Sequence, residues 1–202
     1  MPLAVSGFPD LYAELEALPE NLVGEIIDGE LHTQPRPAAP HAVAMSGLGA
    51  DLLGAFQRGR GGPGGWWIII EPELHFVRDT QVLVPDIAGW QRERMPRMPG
   101  DHRFEVVPDW VCEVLSPSTA RKDRVIKMPV YARFGVTHLW LLDPIARTLE
   151  TFALEAGRWV VTGQFKDDEL VSIAPFEAVN LELANLWLPE AEQFDSDQTG
   201  AG

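Results

Sequence analysis

The 202-residue chain has one cysteine, Cys112, so no disulfide can form within it. That cysteine lies inside an apolar run and reads as a small buried hydrophobe rather than a reactive thiol. No apolar run approaches the ~20 residues a membrane span needs. The opening stretch, MPLAVSGFPDLYAELEALP, carries acids early and no basic segment, which argues against a secretory signal. The expectation is a soluble, cytoplasmic protein without membrane association. Basic residues are scarce, 16 Lys and Arg against 30 Asp and Glu, for a net charge of −14. Such a balance opposes binding to phosphate backbones, which depends on Lys and Arg. The deficit is uneven, however. Between Arg92 and Arg133 nine basic residues face six acids, so that window is net positive.

What is present is ordinary globular composition, 46% hydrophobic and 23% charged, in a length that suits one domain with a substantial core. Leu11, Leu15 and Leu18 recur at helical spacing until Pro19. Glu25 to His32 (EIIDGELH) reads as a β-hairpin around Asp28-Gly29, the favoured pair for a two-residue type I′ turn. That turn sets Ile27 opposite Glu30, Ile26 opposite Leu31 and Glu25 opposite His32. Glu25, Ile27, Glu30 and His32 then share one face. The reading favours a solvent-exposed polar face for Glu25 and His32, and leaves Glu30 open as a site residue.

After a proline-rich connection, His41 to Gln57 shows Met45, Leu48, Leu52 and Phe56 at helical steps. His41, in its first turn, reads as a local hydrogen-bonding residue. RGRGGPGG (58–65) matches neither the Walker loop nor the dinucleotide fingerprint. Residues 66–77 read as a long strand interrupted near Pro72, and residues 82–90 as the next, with Asp86 in its middle. Trp110 to Leu115 is a central strand with Glu113 buried in apolar neighbours. A basic, helical segment and the strand HLWLL (138–142) follow. Thr148 to Ile173 forms a β-meander, and residues 181–188 a short closing helix or strand.

Two acids inside apolar runs need compensation by a metal, a cation or hydrogen bonds. If residues 82–90 and 110–115 are neighbouring strands, Asp86 and Glu113 meet and can share one divalent ion, Mg²⁺ or Mn²⁺. Mg²⁺ takes one or two carboxylates and keeps waters for the rest. Lys127, on the helix after Glu113, is the candidate cation; its alternative is a surface pair with Asp123. Seven tryptophans imply aromatic surface in search of a partner, hence a homodimer.

The pieces EIIDGEL, VPDIAGW, DWVCEVLSPSTARKDR, Lys127 and YARFGVTHLWLLDP, in this order, resemble the Uma2 (DUF820) family. That family is similar in its core to the PD-(D/E)XK nucleases. The resemblance implies an α/β (α+β) fold: a restriction-endonuclease-like mixed β-sheet flanked by helices, with an N-terminal hairpin and a C-terminal β-meander. It implies one nuclease domain over residues 1–190; the acidic, small and polar composition after it makes residues 191–202 a disordered tail by expectation. It also implies metal-dependent cleavage of DNA. Pro85-Asp86 matches the PD element and Glu113 the second acid, these two being the metal ligands. Leu115 stands where the pattern has lysine, and Lys127 is the family's replacement from the next helix. Glu30 supplies a further acid. A binding or assembly module without catalysis, and a hydrolase of small phosphate esters, remain open alternatives.

Overall fold

The structure, a computed structural model, describes residues 10–189 except Arg36; the expected acidic tail lies outside them. Two β-sheets share the work. The first has the order β2-β1-β5-β4-β7, from β1 (Leu22–Ile27), β2 (Glu30–Pro35), β4 (Glu73–Val77), β5 (Gln81–Leu83) and β7 (Arg103–Phe104). The second has the order β11-β10-β9-β8-β6-β3, from β3 (Trp66–Ile70), β6 (Ile87–Gln91), β8 (Trp110–Val114), β9 (His138–Asp143), β10 (Thr148–Glu155) and β11 (Arg158–Lys166). β12 (Leu170–Val171) and β13 (Leu181–Glu182) form a small separate pair.

The hairpin β1–β2 takes the expected register, Glu25 opposite His32 and Ile27 opposite Glu30. Asp28 and Gly29 both have positive φ, 51° and 84°, as a type I′ turn demands. Of the meander expected over 148–173, the pair β10–β11 is present and antiparallel, but Leu170–Val171 leaves it to pair with Leu181–Glu182, and the strand on the other side of β10 is β9. β8 and β9 run parallel, so the chain between them must cross over, and it does so as a helix. Only that pair makes the second sheet mixed.

The two strands expected at 66–77 and 82–90 are each divided between the sheets. β3 pairs with β6 in the second sheet, whereas β4 pairs with β5 in the first. The registers Ile70↔Ile87 and Leu74↔Leu83 place Pro72 opposite Pro85 across one bent ribbon. Neither proline offers an N–H to the ladder, so the pairing breaks there and the ribbon changes sheets. Glu71, at φ 47°, turns the corner on one strand and donates its N–H to the Asp86 carbonyl at 2.9 Å on the other. Asp86 thus sits at the bend, not in mid-strand.

The second sheet buries both faces. One face lies under α2 (Ala39–Leu52) and the C-terminal segment, with Leu48, Leu52, Trp110, Cys112, Val114, Trp140, Phe176 and Leu186 in one cluster. The other gathers Val111, Leu115, Leu139 and Leu141 with Val130 and Tyr131 of α4 (Met128–Phe134) and with Ile27, Leu74 and Leu83 from the first sheet. α1 (Leu11–Glu16), capped by Asp10, covers Ile26 and Val82. Five tryptophans are buried; Trp67 and Trp159, half-buried, donate to the carbonyls of Met95 and Met128.

Candidate active site at the ribbon bend

The bend leaves backbone groups outside any ladder, and site side chains satisfy them. The Val84 N–H donates to Glu25 Oε1 at 2.9 Å, and Lys127 Nζ donates to the Val84 carbonyl at 3.1 Å. The Val114 N–H, at the end of β8, donates to Asp86 Oδ2 at 2.7 Å. That bond joins Asp86 to the strand carrying Glu113, and the antiparallel register Ile87↔Cys112 continues to the same pair. Asp86 is therefore bonded to the strand that carries Glu113, which it meets from the corner.

Glu113 faces the same side of β8 as Val111 and Leu115, toward α4. There its Oε1 accepts from the Tyr131 hydroxyl at 2.5 Å and lies 2.8 Å from Lys127 Nζ. Lys127 belongs to a π-helical turn, Asp123–Lys127, between α3 (Ala120–Lys122) and α4. The Met128 N–H reaches back five residues to Asp123. Pro129, which disfavours a normal α-turn before it, follows directly. The widened turn carries Lys127 inward, where it is 1% exposed.

The same ammonium lies 2.8 Å from Glu25 Oε1, and Lys122 Nζ lies 2.6 Å from Glu25 Oε2. Lys122 also donates to Gln34 Oε1. Asp123 Oδ1 stands 4.0 Å from Lys127, a looser contact than either glutamate makes. His41 Nε2 lies 3.0 Å from Asp86 Oδ1, whereas its Nδ1 is buried without a hydrogen-bond partner.

Four carboxylates, Glu25, Asp86, Glu113 and Asp123, thus face two lysines and a histidine in a largely buried space. The titrations carry that imbalance. Burial pushes Glu113 well up, Lys127 offsets it only in part, and Asp123, Asp86 and Glu25 add to the rise. Asp123 is raised by burial, again against Lys127. Burial alone would lower Lys127, but Glu113 and Glu25 outweigh it and hold the ammonium well above its ordinary value. Glu25 is lowered: burial acts upward, but Lys127 and Lys122 prevail. For His41, burial acts downward, and the hydrogen bond and charge of Asp86, with Asp123 and Glu71, reverse it to a net rise.

Among the described residues no group of three or more His, Cys, Asp or Glu side chains stands ready around a metal. The pair Asp86 and Glu113 nonetheless suits Mg²⁺, which needs few protein ligands.

Lys127 therefore meets Glu113 as expected, Asp86 borders the same strand through the Val114 amide, and Glu30 lies apart from them. Glu30 sits beside the hairpin turn, its side chain 81% exposed, with His32 at 3.9 Å. The hairpin's contribution is Glu25, fully buried. The signal for it was on the strand: Glu25 shares a face with Ile27, and an apolar Ile27 marks that face as interior. Lys122, Tyr131 and His41 were not selected from the sequence either. Their roles depend on how the helices dock, which spacing along one helix does not specify.

Residues 9–185 match the Uma2 family, described as "Putative restriction endonuclease". Among solved structures, a "putative nuclease belonging to DUF820" from Anabaena variabilis superposes with a TM-score of 0.67 at 23% identity, over 87% of this chain and 96% of that one. No curated protein matches. At that identity the superposition establishes the fold, the expected restriction-endonuclease-like mixed α+β architecture. The match along the sequence spans nearly all the residues that build the bend and its cluster, and by it this chain belongs to the Uma2 family.

Proposed function

We propose that the protein is a divalent-metal-dependent DNA endonuclease acting in the cytoplasm, with Asp86 and Glu113 as metal ligands and Lys127 as the catalytic ammonium. The observation that carries the reading is the triangle Glu25–Lys127–Glu113 beside Asp86. Lys127 is held charged between two buried glutamates, and Asp86 borders the strand that carries one of them.

Bound between Asp86 and Glu113, Mg²⁺ or Mn²⁺ would polarise a phosphoryl oxygen and acidify a coordinated water. Lys127, fixed by Glu25 and the Val84 carbonyl, supplies positive charge where the phosphoryl group becomes more negative. Glu25 holds Lys127 and Lys122 in place rather than touching substrate. Tyr131 orients Glu113 through its hydroxyl. Arg121 and Arg124, exposed on the elements that carry Lys127, offer a local phosphate contact surface on an otherwise acidic chain, Arg124 by leaving its pairing with Glu150.

The test is nicking of supercoiled plasmid by purified protein with Mg²⁺ or Mn²⁺, and its loss in Asp86→Asn. Metal binding demonstrated by a rise in Tm, with no cleavage of any nucleic acid, would defeat the reading.

One observation favours a second reading, a binding module without catalysis: Glu113 Oε1 already engages two donors and the side chain is 3% exposed. In that case metal leaves the Tm unchanged, and Glu113→Gln raises stability.

A further inference from the structure

Arginines gather at the end of the second sheet away from Asp86. Among the described residues, eight Lys and Arg side chains lie within 4.0 Å of a carboxylate and seven do not. Four of those seven, Arg58, Arg60, Arg92 and Arg97, fall in two loops that touch. The first, residues 58–65, leads from the π-helical turn Leu53–Gln57 into β3, and the second, residues 92–98, follows β6. The register Trp66↔Gln91 sets them side by side. Arg92 ties them together. Its N–H donates to the Gly65 carbonyl at 2.9 Å, its Nη2 to the Gln57 carbonyl at 2.7 Å and its Nε to the Trp66 carbonyl at 3.2 Å, and its guanidinium covers the Trp67 ring at 4.1 Å.

The glycine-rich loop is pinned in place. The N–H groups of Arg58, Arg60 and Gly64 donate to the carbonyls of Leu53, Gly54 and Ala55. Gly59 and Gly61, at φ 65° and 74°, turn the chain on either side of Arg60 in a conformation that side chains resist. The guanidinium groups of Arg58, Arg60 and Arg97 are exposed and have no hydrogen-bond or ion-pair partner among the described residues. Asp51 and Glu182 share a hollow with Arg60 without pairing with it, and Glu93 is the one acid in the two loops. A backbone fixed in advance lowers the ordering cost of binding, and the planar five-donor fork of arginine suits phosphate.

We propose that loops 58–65 and 92–98 form a second contact surface for duplex DNA, in which Arg58, Arg60 and Arg97 hold backbone phosphates away from the cutting site. The choice of DNA rests on the nuclease reading; a surface for a phosphate polymer does not. β6 separates Gln91 from Asp86 by five residues, roughly 16 Å at ~3.3 Å per residue. That span is on the order of five base-pair steps at ~3.4 Å each. An acidic protein partner would want apolar anchors among the charges. The loops expose glycine and proline, with Met98 as the single large apolar side chain.

The experiment is fluorescence anisotropy of a labelled duplex of about 20 base pairs with full-length protein, without divalent metal, between about 50 and about 200 mM salt. Wild-type affinity should fall linearly on a log–log plot against salt. The triple variant Arg58→Ala, Arg60→Ala, Arg97→Ala should lower that slope by roughly three, about one per arginine, and weaken low-salt binding at least about tenfold. Lysine at the same three positions should keep the slope, which a structural role of the arginines would not allow. Should the triple variant fail to fold, Arg97→Ala alone decides, with an expected loss of about one in slope. An unchanged slope in the alanine variant, or no duplex binding by the wild type at low salt, would overturn the proposal. So would tighter binding of single-stranded RNA of the same length, lost in the same variant, which would make RNA the partner. Plasmid nicking with Mg²⁺ separates the two readings. Cleavage with an unaltered slope defeats the surface only, whereas a lowered slope in a protein that cuts no nucleic acid defeats the nuclease reading and leaves the surface standing.

Discussion

Lys127 Nζ stands 2.8 Å from Glu25 Oε1 and 2.8 Å from Glu113 Oε1, so one ammonium ties the N-terminal hairpin to the central strand. These residues are 102 and 14 positions from it in sequence. Buried on all sides, the three stand or fall as a unit.

Removing the ammonium should therefore be costly. Lys127→Met leaves two buried glutamates facing each other, and the expected loss is about 3–5 kcal/mol in urea unfolding. Adding Glu113→Gln to that variant should recover part of the loss, because one of the uncompensated charges is gone. A double mutant no more stable than the single would show that Lys127 contributes packing alone.

The two hairpin acids should separate cleanly. Glu30→Gln changes an exposed side chain and should shift stability by less than about 0.5 kcal/mol and leave nicking unchanged. Glu25→Gln removes the partner of both lysines and should cost at least about 2 kcal/mol and most of the activity. Equal effects at the two positions would contradict the arrangement.

The His41–Asp86 pair should appear in pH dependence. The folded state raises the His41 pKa, so the pair contributes in full below pH ~6.5, the ordinary histidine value. That contribution fades as pH rises through the higher folded value. Asp86→Asn should bring the His41 titration down, since burial then acts without its main counterweight. The stability gap between wild type and variant should narrow toward alkaline pH. A gap that widens with pH would refute this.

The hairpin turn offers a backbone test. Gly29 has φ 84° with open space around its Cα, so Gly29→Ala meets no clash and only the left-handed penalty. About 1 kcal/mol of destabilisation is expected, measurable as a lower Tm.

The parts legible in the sequence were those set by local chemistry. Asp28-Gly29 dictates a turn, and the turn dictates the pairing of Glu25 with His32. Glu113 among Val111, Cys112 and Val114 announces a compensated buried acid. What the sequence concealed was a matter of tertiary assignment. An apolar run looks the same whichever sheet it joins, so the interruption near Pro72 did not read as a change of sheet and residues 82–90 read as one strand in spite of Pro85. The meaning of the two prolines lay in facing one another. Glu25 was set aside because its strand face carries two acids and a histidine, while Ile27 on that face decides its burial.

The bend also sets which changes of length the chain can absorb. Beyond it, β4 and β5 form an arm whose far end closes over Arg78–Thr80, well away from Asp86 along the ribbon. Residues added to both sides of that arm in matched pairs would preserve the alternation of its side chains and the seating of Asp86. A single residue inserted between Ile70 and Leu74, or between Leu83 and Ile87, would rotate every following side chain to the wrong face and carry the aspartate with it. The inner end of the ribbon tolerates no change of count, and its outer part is held on both sides by β1 and β7.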